Sequence, residues 1–160
     1  MKKLTSKFLK TAILLSLLTI GTGNFCFGQS NDDDSLTPEE LEVLESMNPV
    51  EVLKLGIQSA NSECPFEIDE GMVCTKIIME NKNVMYYVEC DEILFDISTL
   101  SDASDLLKAI LVEEFNDTED PDIALFKNMC KKAGYGIGYC FVGNKSKKKV
   151  KAALSAKELK

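Results

Sequence analysis

Met72-Val73-Cys74-Thr75-Lys76-Ile77-Ile78-Met79-Glu80-Asn81-Lys82-Asn83-Val84-Met85-Tyr86-Tyr87-Val88-Glu89-Cys90 is the stretch whose reading decides the fold. Val73, Thr75, Ile77 and Met79 alternate with Cys74, Lys76, Ile78 and Glu80. After Asn81-Lys82, the set Val84, Tyr86, Val88 and Cys90 alternates with Met85, Tyr87 and Glu89. A period of two marks strands with one buried face, so the segment reads as a β-hairpin. A two-residue turn at Asn81-Lys82 sets Met79 against Val84, Ile77 against Tyr86 and Val73 against Cys90, with the apolar set on one face. A three-residue turn sets Glu80 against Val84, and only that register puts Cys74 opposite Cys90. The pattern therefore argues against a Cys74–Cys90 bridge unless a bulge intervenes.

Upstream, Leu36-Thr37-Pro38-Glu39-Glu40-Leu41 carries a cap, a first-position proline, a reciprocal acid and a hydrophobic staple, which starts a helix at Pro38. It stops near Met47, because Asn48-Pro49-Val50-Glu51 repeats that grammar for a second helix with Val50, Leu53, Ile57 and Ala60 on one stripe. Pro65 is its outer limit. Downstream, Ser101 caps a helix from about Asp102 to Phe115 with Leu106, Leu107, Ile110 and Leu111 facing inward. Asp120-Pro121-Asp122 opens another, carrying Ile123, Phe126, Met129 and Cys130, with lysines in its last turn and Gly134 as a left-handed stop. Tyr135, Ile137, Tyr139 and Phe141 then alternate with Gly136, Gly138, Cys140 and Val142 as a strand. A turn from Gly143 to Lys148 leads to a last strand at Lys149 to Leu154, and Ser155-Ala156-Lys157-Glu158 forms a capping box. The order predicts an α+β domain with about four antiparallel strands in two hairpins and helices mainly on one face; a parallel sheet is the weaker alternative.

The N-terminus sets the address. Lys2, Lys3, Lys7 and Lys10 precede an uncharged run from Thr11 to Ile20 and a small-residue stretch ending Cys26-Phe27-Gly28. These are the three regions of a secretory signal, and the apolar run is about half the roughly twenty residues of a spanning helix. Residues 1–28 are read as a signal, 29–37 as an acidic leader and 38–160 as one domain, with no transmembrane span after cleavage. Lipid attachment at Cys26 is disfavoured, because Gly23 and Phe25 occupy the places of the leucine-like and small residues that lipidation needs. The expected location is the periplasm or the outside of the cell.

Charge divides the remainder. Without the signal the net charge moves from −8 to −12, which argues against nucleic-acid binding. From Gln29 to Phe126 four lysines face twenty-five acids, whereas Lys127 to Lys160 holds ten lysines and one acid, Glu158. One reading folds the basic end back onto the acidic part. The other makes Lys145, Lys147, Lys148, Lys149 and Lys151 a basic hairpin for an anionic envelope component, polysaccharide or lipid headgroup, or for another exported protein.

Absences limit the chemistry. No histidine is present, which excludes Ser-His-Asp and Cys-His nucleophiles, histidine metal sites and imidazole switching. No arginine is present either, so every cation is a flexible lysine point charge. Cys64, Cys74, Cys90, Cys130 and Cys140 contain no Cys-x-x-Cys spacing, and in an oxidising compartment they read as disulfide formers. With the faces above, Cys90 and Cys130 lie toward one layer and Cys74 and Cys140 toward the other, so one bridge is expected within each pair, leaving Cys64 odd.

Other motifs carry less. Gly134-Tyr135-Gly136-Ile137-Gly138 follows a helix and lies in a strand pattern, the wrong context for a dinucleotide fingerprint, and its glycines read as room for close backbone approach. Asn116 to Asp122 could gather calcium but lacks the central glycine and terminal glutamate of the twelve-residue loop. Glu67, Asp69 and Glu70 are the loop carboxylates from which an acid-base pair could be drawn. A Cys64 nucleophile would need activation by a lysine or a helix end. No metal or cofactor is implied. The leading expectation is a non-catalytic binding or interaction protein, and the alternative is a small carboxylate-dependent hydrolase or an accessory to one.

Asn61-Ser62-Glu63-Cys64-Pro65, then Asp69 and Gly71, Asn83-Val84-Met85-Tyr86, and Tyr139-Cys140-Phe141-Val142-Gly143 resemble small uncharacterised exported proteins of Gram-negative bacteria, especially the gut Bacteroidetes type. The resemblance covers roughly Val50 to Lys160 and implies an exported small domain without implying an activity. The lysine-rich run from Asn144 to Lys149 departs from its mixed polar turn. N-terminal sequencing of the exported protein is expected to begin at Gln29; an intact Met1 on the working protein overturns the signal reading.

Overall fold

The computed structural model describes residues 46–160 except 118 and 120. The expected signal and leader, and most of the helix expected from Pro38, lie outside the described residues. Helix α1 (Pro49–Ser62) begins as its sequence dictates: the Asn48 side chain accepts from Val50 N at 2.9 Å, with Pro49 at the first helical position. Strands β1 (Phe66–Asp69), β2 (Met72–Glu80) and β3 (Asn83–Cys90) follow. Helices α2 (Ile97–Asp102), α3 (Ser104–Asn116) and α4 (Pro121–Ala133) then lead to β4 (Gly136–Gly143) and β5 (Lys149–Leu154).

The five strands form one sheet in the order β1-β2-β3-β4-β5, antiparallel except for β3 against β4, which run parallel. Two corrections to the expectation of about four antiparallel strands follow. Phe66-Glu67-Ile68-Asp69 is a strand rather than a loop, short enough that its alternation covers only four residues. The two hairpins also fuse edge to edge in parallel, because the chain makes a long helical crossover between β3 and β4 instead of a tight turn.

The hairpin itself forms at the expected turn. Asn81 and Lys82 both have positive φ, 49° and 61°, as two-residue hairpin turns require. Met79 pairs with Val84 and Ile77 with Tyr86 as expected, but Met72 rather than Val73 faces Cys90. The register slips between Cys74 and Lys76, where Thr75 is a bulge whose hydroxyl donates to Tyr87 O at 3.2 Å. A one-residue slip exchanges the faces, so Cys74 turns into the core.

That reversal overturns the expected cysteine layers. Cys74, Cys90 and Cys130 are all buried in the helix-covered cluster, whereas Cys140 is buried on the opposite sheet face with Met85 and Tyr87. Cys74 and Cys140 therefore cannot meet through the sheet, and Cys90 and Cys130 share a layer without being joined. All five cysteines of the described residues are free thiols.

The core packs helices on one side. Leu53 of α1, Leu107, Leu111 and Phe115 of α3, and Ile123, Phe126 and Cys130 of α4 meet Ile77, Val84, Val88, Ile137, Tyr139, Val150 and Leu154. Helix α3 differs from expectation: its inward stripe is Leu107, Leu111 and Phe115, while Leu106 and Ile110 are 61% and 40% exposed. It begins at Ser104 with no side-chain cap, after the short α2, which Asp96 caps through Ser98 N at 2.9 Å. Helix α4 ends as expected in the left-handed Gly134 (φ 73°), with Tyr135 N bonded to Cys130 O and Gly134 N to Lys131 O. A Cβ on Gly136 or Gly138 would collide with the carbonyls of Leu154 and Ala152, so these glycines let β5 lie close, as read from the sequence.

One side chain ties α1 to the sheet. Asn61 Nδ2 donates to Ile77 O and Asn61 Oδ1 accepts from Ile77 N, both at 2.7 Å, so the amide acts as a further strand residue on β2 beyond the end of β1. Asn61→Ala leaves both main-chain groups without that partner and is expected to lower the unfolding free energy by roughly 2 kcal/mol in urea denaturation. A loss below about 0.5 kcal/mol would show the clamp to be immaterial.

Candidate functional site

The pleat that sends Tyr86 and Tyr139 into the core sends their neighbours to the other face, where Met85, Tyr87 and Cys140 pack with Ile78, Val142 and Ala153. This cluster is made of strand residues alone; among the described residues no helix contributes to it. In register, Lys76, Tyr87, Cys140 and Lys151 form one row across β2 to β5, and Glu89, Val142 and Lys149 form the next across β3 to β5. The Tyr87 ring lies between lysines, with Lys76 Nζ 4.7 Å and Lys151 Nζ 5.7 Å from its centroid. Its hydroxyl bonds to both carboxylate oxygens of Glu80 at 3.1 Å, and Lys151 Nζ meets Glu80 Oε1 at 2.5 Å. The Lys151 ammonium holds the Glu80 carboxyl below the usual carboxylate range, and Glu80 in return raises Lys151.

The five lysines read from the sequence do not form a single patch. Lys149 and Lys151 stand on the uncovered face, and Lys147, with φ 57°, reaches Glu89 on that face at 3.4 Å. Lys148 Nζ instead lies 3.5 Å from Ser98 Oγ of α2, on the helical side. Lys145 and Lys149 form no salt bridge among the described residues. The sequence pattern did not single out Lys76, Tyr87 or Glu80 as part of this face; their alternation opposite Ile77 and Tyr86 was the available signal.

The lysine-bearing turn is anchored rather than loose. Glu92 Oε2 accepts from Lys145 N at 2.7 Å and Ser146 N at 2.6 Å, while Asn144 Oδ1 accepts from Glu92 N at 3.2 Å. Bonds from the Ser146 hydroxyl and amide, then the Lys145 amide, hold the Glu92 carboxyl below its ordinary range. A Cβ on Gly143 would meet the Glu92 carboxyl carbon at 2.6 Å, so glycine is needed for the carboxylate to enter the turn.

Glu67 and Asp69 are exposed on the β1 edge and Glu70 in the turn after it, and no pairing among them is formed. The Asn116 to Asp122 run includes residues outside the description. A carboxyl that the pattern did not mark is the unusual one: Glu114 Oε1 accepts from Tyr139 OH at 3.0 Å, and its Oε2 is buried with no hydrogen-bond partner. Tyr139 in turn packs 5.5 Å from Tyr86. Burial pushes Glu114 up from the ordinary carboxylate value and lifts both phenols well above theirs. Beside α3 and the C-terminus lies a separate shallow groove of ≈ 390 Å³, in which Lys108 pairs with Glu158 at 2.6 Å. Ser155 N and Oγ donate to Glu158 Oε2 at 2.9 and 2.8 Å, the expected cap, and with Lys108 they bring the Glu158 carboxyl down to about 2.

No family model matches the chain, and no curated protein matches it. Among solved structures it is similar to the crystal structure of a candidate secreted protein from Pseudomonas aeruginosa, with a TM-score of 0.56 and 10% identity over 78% of this chain and 98% of that one. That likeness shows a shared fold. It does not bear out the Bacteroidetes type or the motif on which the resemblance rested. Among the described residues no helix is long and apolar enough to cross a membrane.

Glu114 generates a pH test. Its folded value lies above the unfolded one, so its contribution is fully present below the unfolded value near 4.5 and is lost as pH rises through the raised folded value. Glu114→Gln keeps an oxygen for Tyr139 and removes the charge. It is expected to unfold at higher urea than the parent at pH 8, with the difference vanishing by pH 4; an equal difference at both values overturns the assignment.

Proposed function

We propose that this chain is an exported, non-catalytic binding protein that takes up an anionic envelope component on the uncovered sheet face. The observation that carries the reading is the placement of Lys76 and Lys151 against Tyr87, with Lys147 and Lys149 further along the same face and two carboxylates, Glu80 and Glu89, opposing them, in a chain of net charge −8. Three features support it. The N-terminus has the build of a secretory signal, the fold is shared with a candidate secreted protein, and the basic turn is stiffened through Glu92. Surface ion pairs such as Lys147–Glu89 contribute about 0–1 kcal/mol, so an incoming polyanion can displace the carboxylates without a large penalty. Tyr87 supplies an apolar and hydrogen-bonding floor between the cations.

Vesicles containing an anionic phospholipid, neutral vesicles and a soluble anionic polysaccharide are the probes. The protein is expected to bind an anionic probe and not neutral vesicles, with affinity falling steeply as salt rises. Lys147→Glu with Lys149→Glu is expected to weaken binding roughly tenfold or more, at about 1 kcal/mol for each lysine near an anionic surface, whereas Lys54→Glu on α1 has little effect. Salt-independent binding, or equal loss from Lys54→Glu, overturns the reading.

A further inference from the structure

Cys64 and Cys74 form a thiol pair on the covered side of the sheet, apart from the lysine face. Cys64 lies just after α1, two residues before Phe66, and Cys74 lies in β2 directly opposite Phe66 of β1, so the β1–β2 pairing brings Cys64 to the same end of β2 as Cys74. The Thr75 bulge completes the approach by turning Cys74 to the core face. Both residues pack in one apolar cluster, Cys74 fully buried and Cys64 half-buried. Cys64 Sγ lies 3.6 Å from Ala60 O and 3.8 Å from Asn61 Oδ1, which hold it beside the clamp on Ile77, and Cys74 Sγ lies 3.7 Å from Lys76 O. The other thiols stand elsewhere: Cys90 Sγ faces Val88 O at 3.8 Å, and Cys140 is on the opposite face.

We propose that Cys64 and Cys74 are a dithiol that closes to a disulfide when a small disulfide compound reaches Cys64, stapling the end of α1 to β2. This pairing differs from both bridges expected from the sequence and uses the cysteine that the sequence left odd. Cys64 is the entry point because it alone of the two is not fully buried. The Cys64 thiolate attacks one sulfur of the donor disulfide, breaking that S–S bond; the released thiolate takes up the proton Cys64 gave. Cys74 then attacks the Cys64 sulfur, the mixed disulfide breaks, and the second donor thiolate leaves with the Cys74 proton. Two protein thiols lose two hydrogens and two electrons, and the donor gains them. Burial raises both thiols, Cys74 to about 12, so closure is slow at neutral pH and quickens as the thiolate fraction grows.

The test treats the reduced, purified protein with oxidised glutathione, followed by alkylation under denaturing conditions and peptide mapping. The expected product is two hydrogens lighter, with the Cys64 peptide joined to the Cys74 peptide and Cys90, Cys130 and Cys140 alkylated. Formation is expected to accelerate about tenfold per pH unit over the neutral range. The oxidised form is expected to melt a few degrees higher than the reduced one, roughly 3–5 °C, a shift absent from Cys64→Ser. Alkylation of both Cys64 and Cys74, a lasting glutathione adduct on Cys64, or a linkage through Cys90, Cys130 or Cys140 overturns the proposal. The reaction is run in solution without any anionic probe, so its result is independent of the binding face.

Discussion

The parallel pairing of β3 with β4 is the constraint on which the remaining architecture depends. Parallel neighbours cannot be joined by a tight turn, so the chain between Cys90 and Gly136 must travel the length of the sheet, and it does so as α2, α3 and α4. Those helices bury Leu107, Leu111, Phe115, Ile123 and Phe126 against one face only. Because the crossover commits its apolar surface to that side, the described residues leave the opposite face to the strands, and there the lysines collect.

Three local devices adjust that frame. The Thr75 bulge reverses the inward set of β2, so Cys74 and Met72 join the core with Ile77 and Met79 although they differ from them in parity. Asn61 closes the hydrogen-bonding edge of β2 past the end of β1, which gives the Asn-x-x-Cys-Pro run a structural meaning: an amide for Ile77 and a thiol packed in the cluster that holds Cys74. Glu92 occupies the amides of the Lys145-Ser146 turn, so a carboxylate from the β3–α2 connection fixes the entrance to β5. Each device satisfies main-chain groups that the sheet ladder leaves open.

The division of charge along the chain is answered in part by pairing across it. Lys151 with Glu80 and Lys147 with Glu89 return residues of the basic end to acids of the earlier part, and Lys108 of that part pairs with Glu158, while Lys145 and Lys149 form no salt bridge among the described residues. Alternation exposes Lys149 and Lys151 on the face that holds Tyr87, and the turn sends Lys148 to the helical side. A linear run of lysines is thus split between two surfaces by the strand that contains it.

Local chemistry was legible in the sequence wherever it acts over a few residues. The Asn48 cap, the Asn81-Lys82 turn, the Gly134 stop, the Glu158 cap and the tight β4–β5 approach at Gly138 were all readable, because each depends on backbone preferences and near neighbours. Period two also identified the main hairpin and most of its inward set. Tertiary structure alone decided the parallel seam, the short β1, the outward turn of Leu106 and Ile110, and the face of Cys74. The physical reason is that a bulge or a strand edge is chosen by the partner it meets, and a single inserted residue exchanges every side chain beyond it between two faces without altering the composition that a sequence displays.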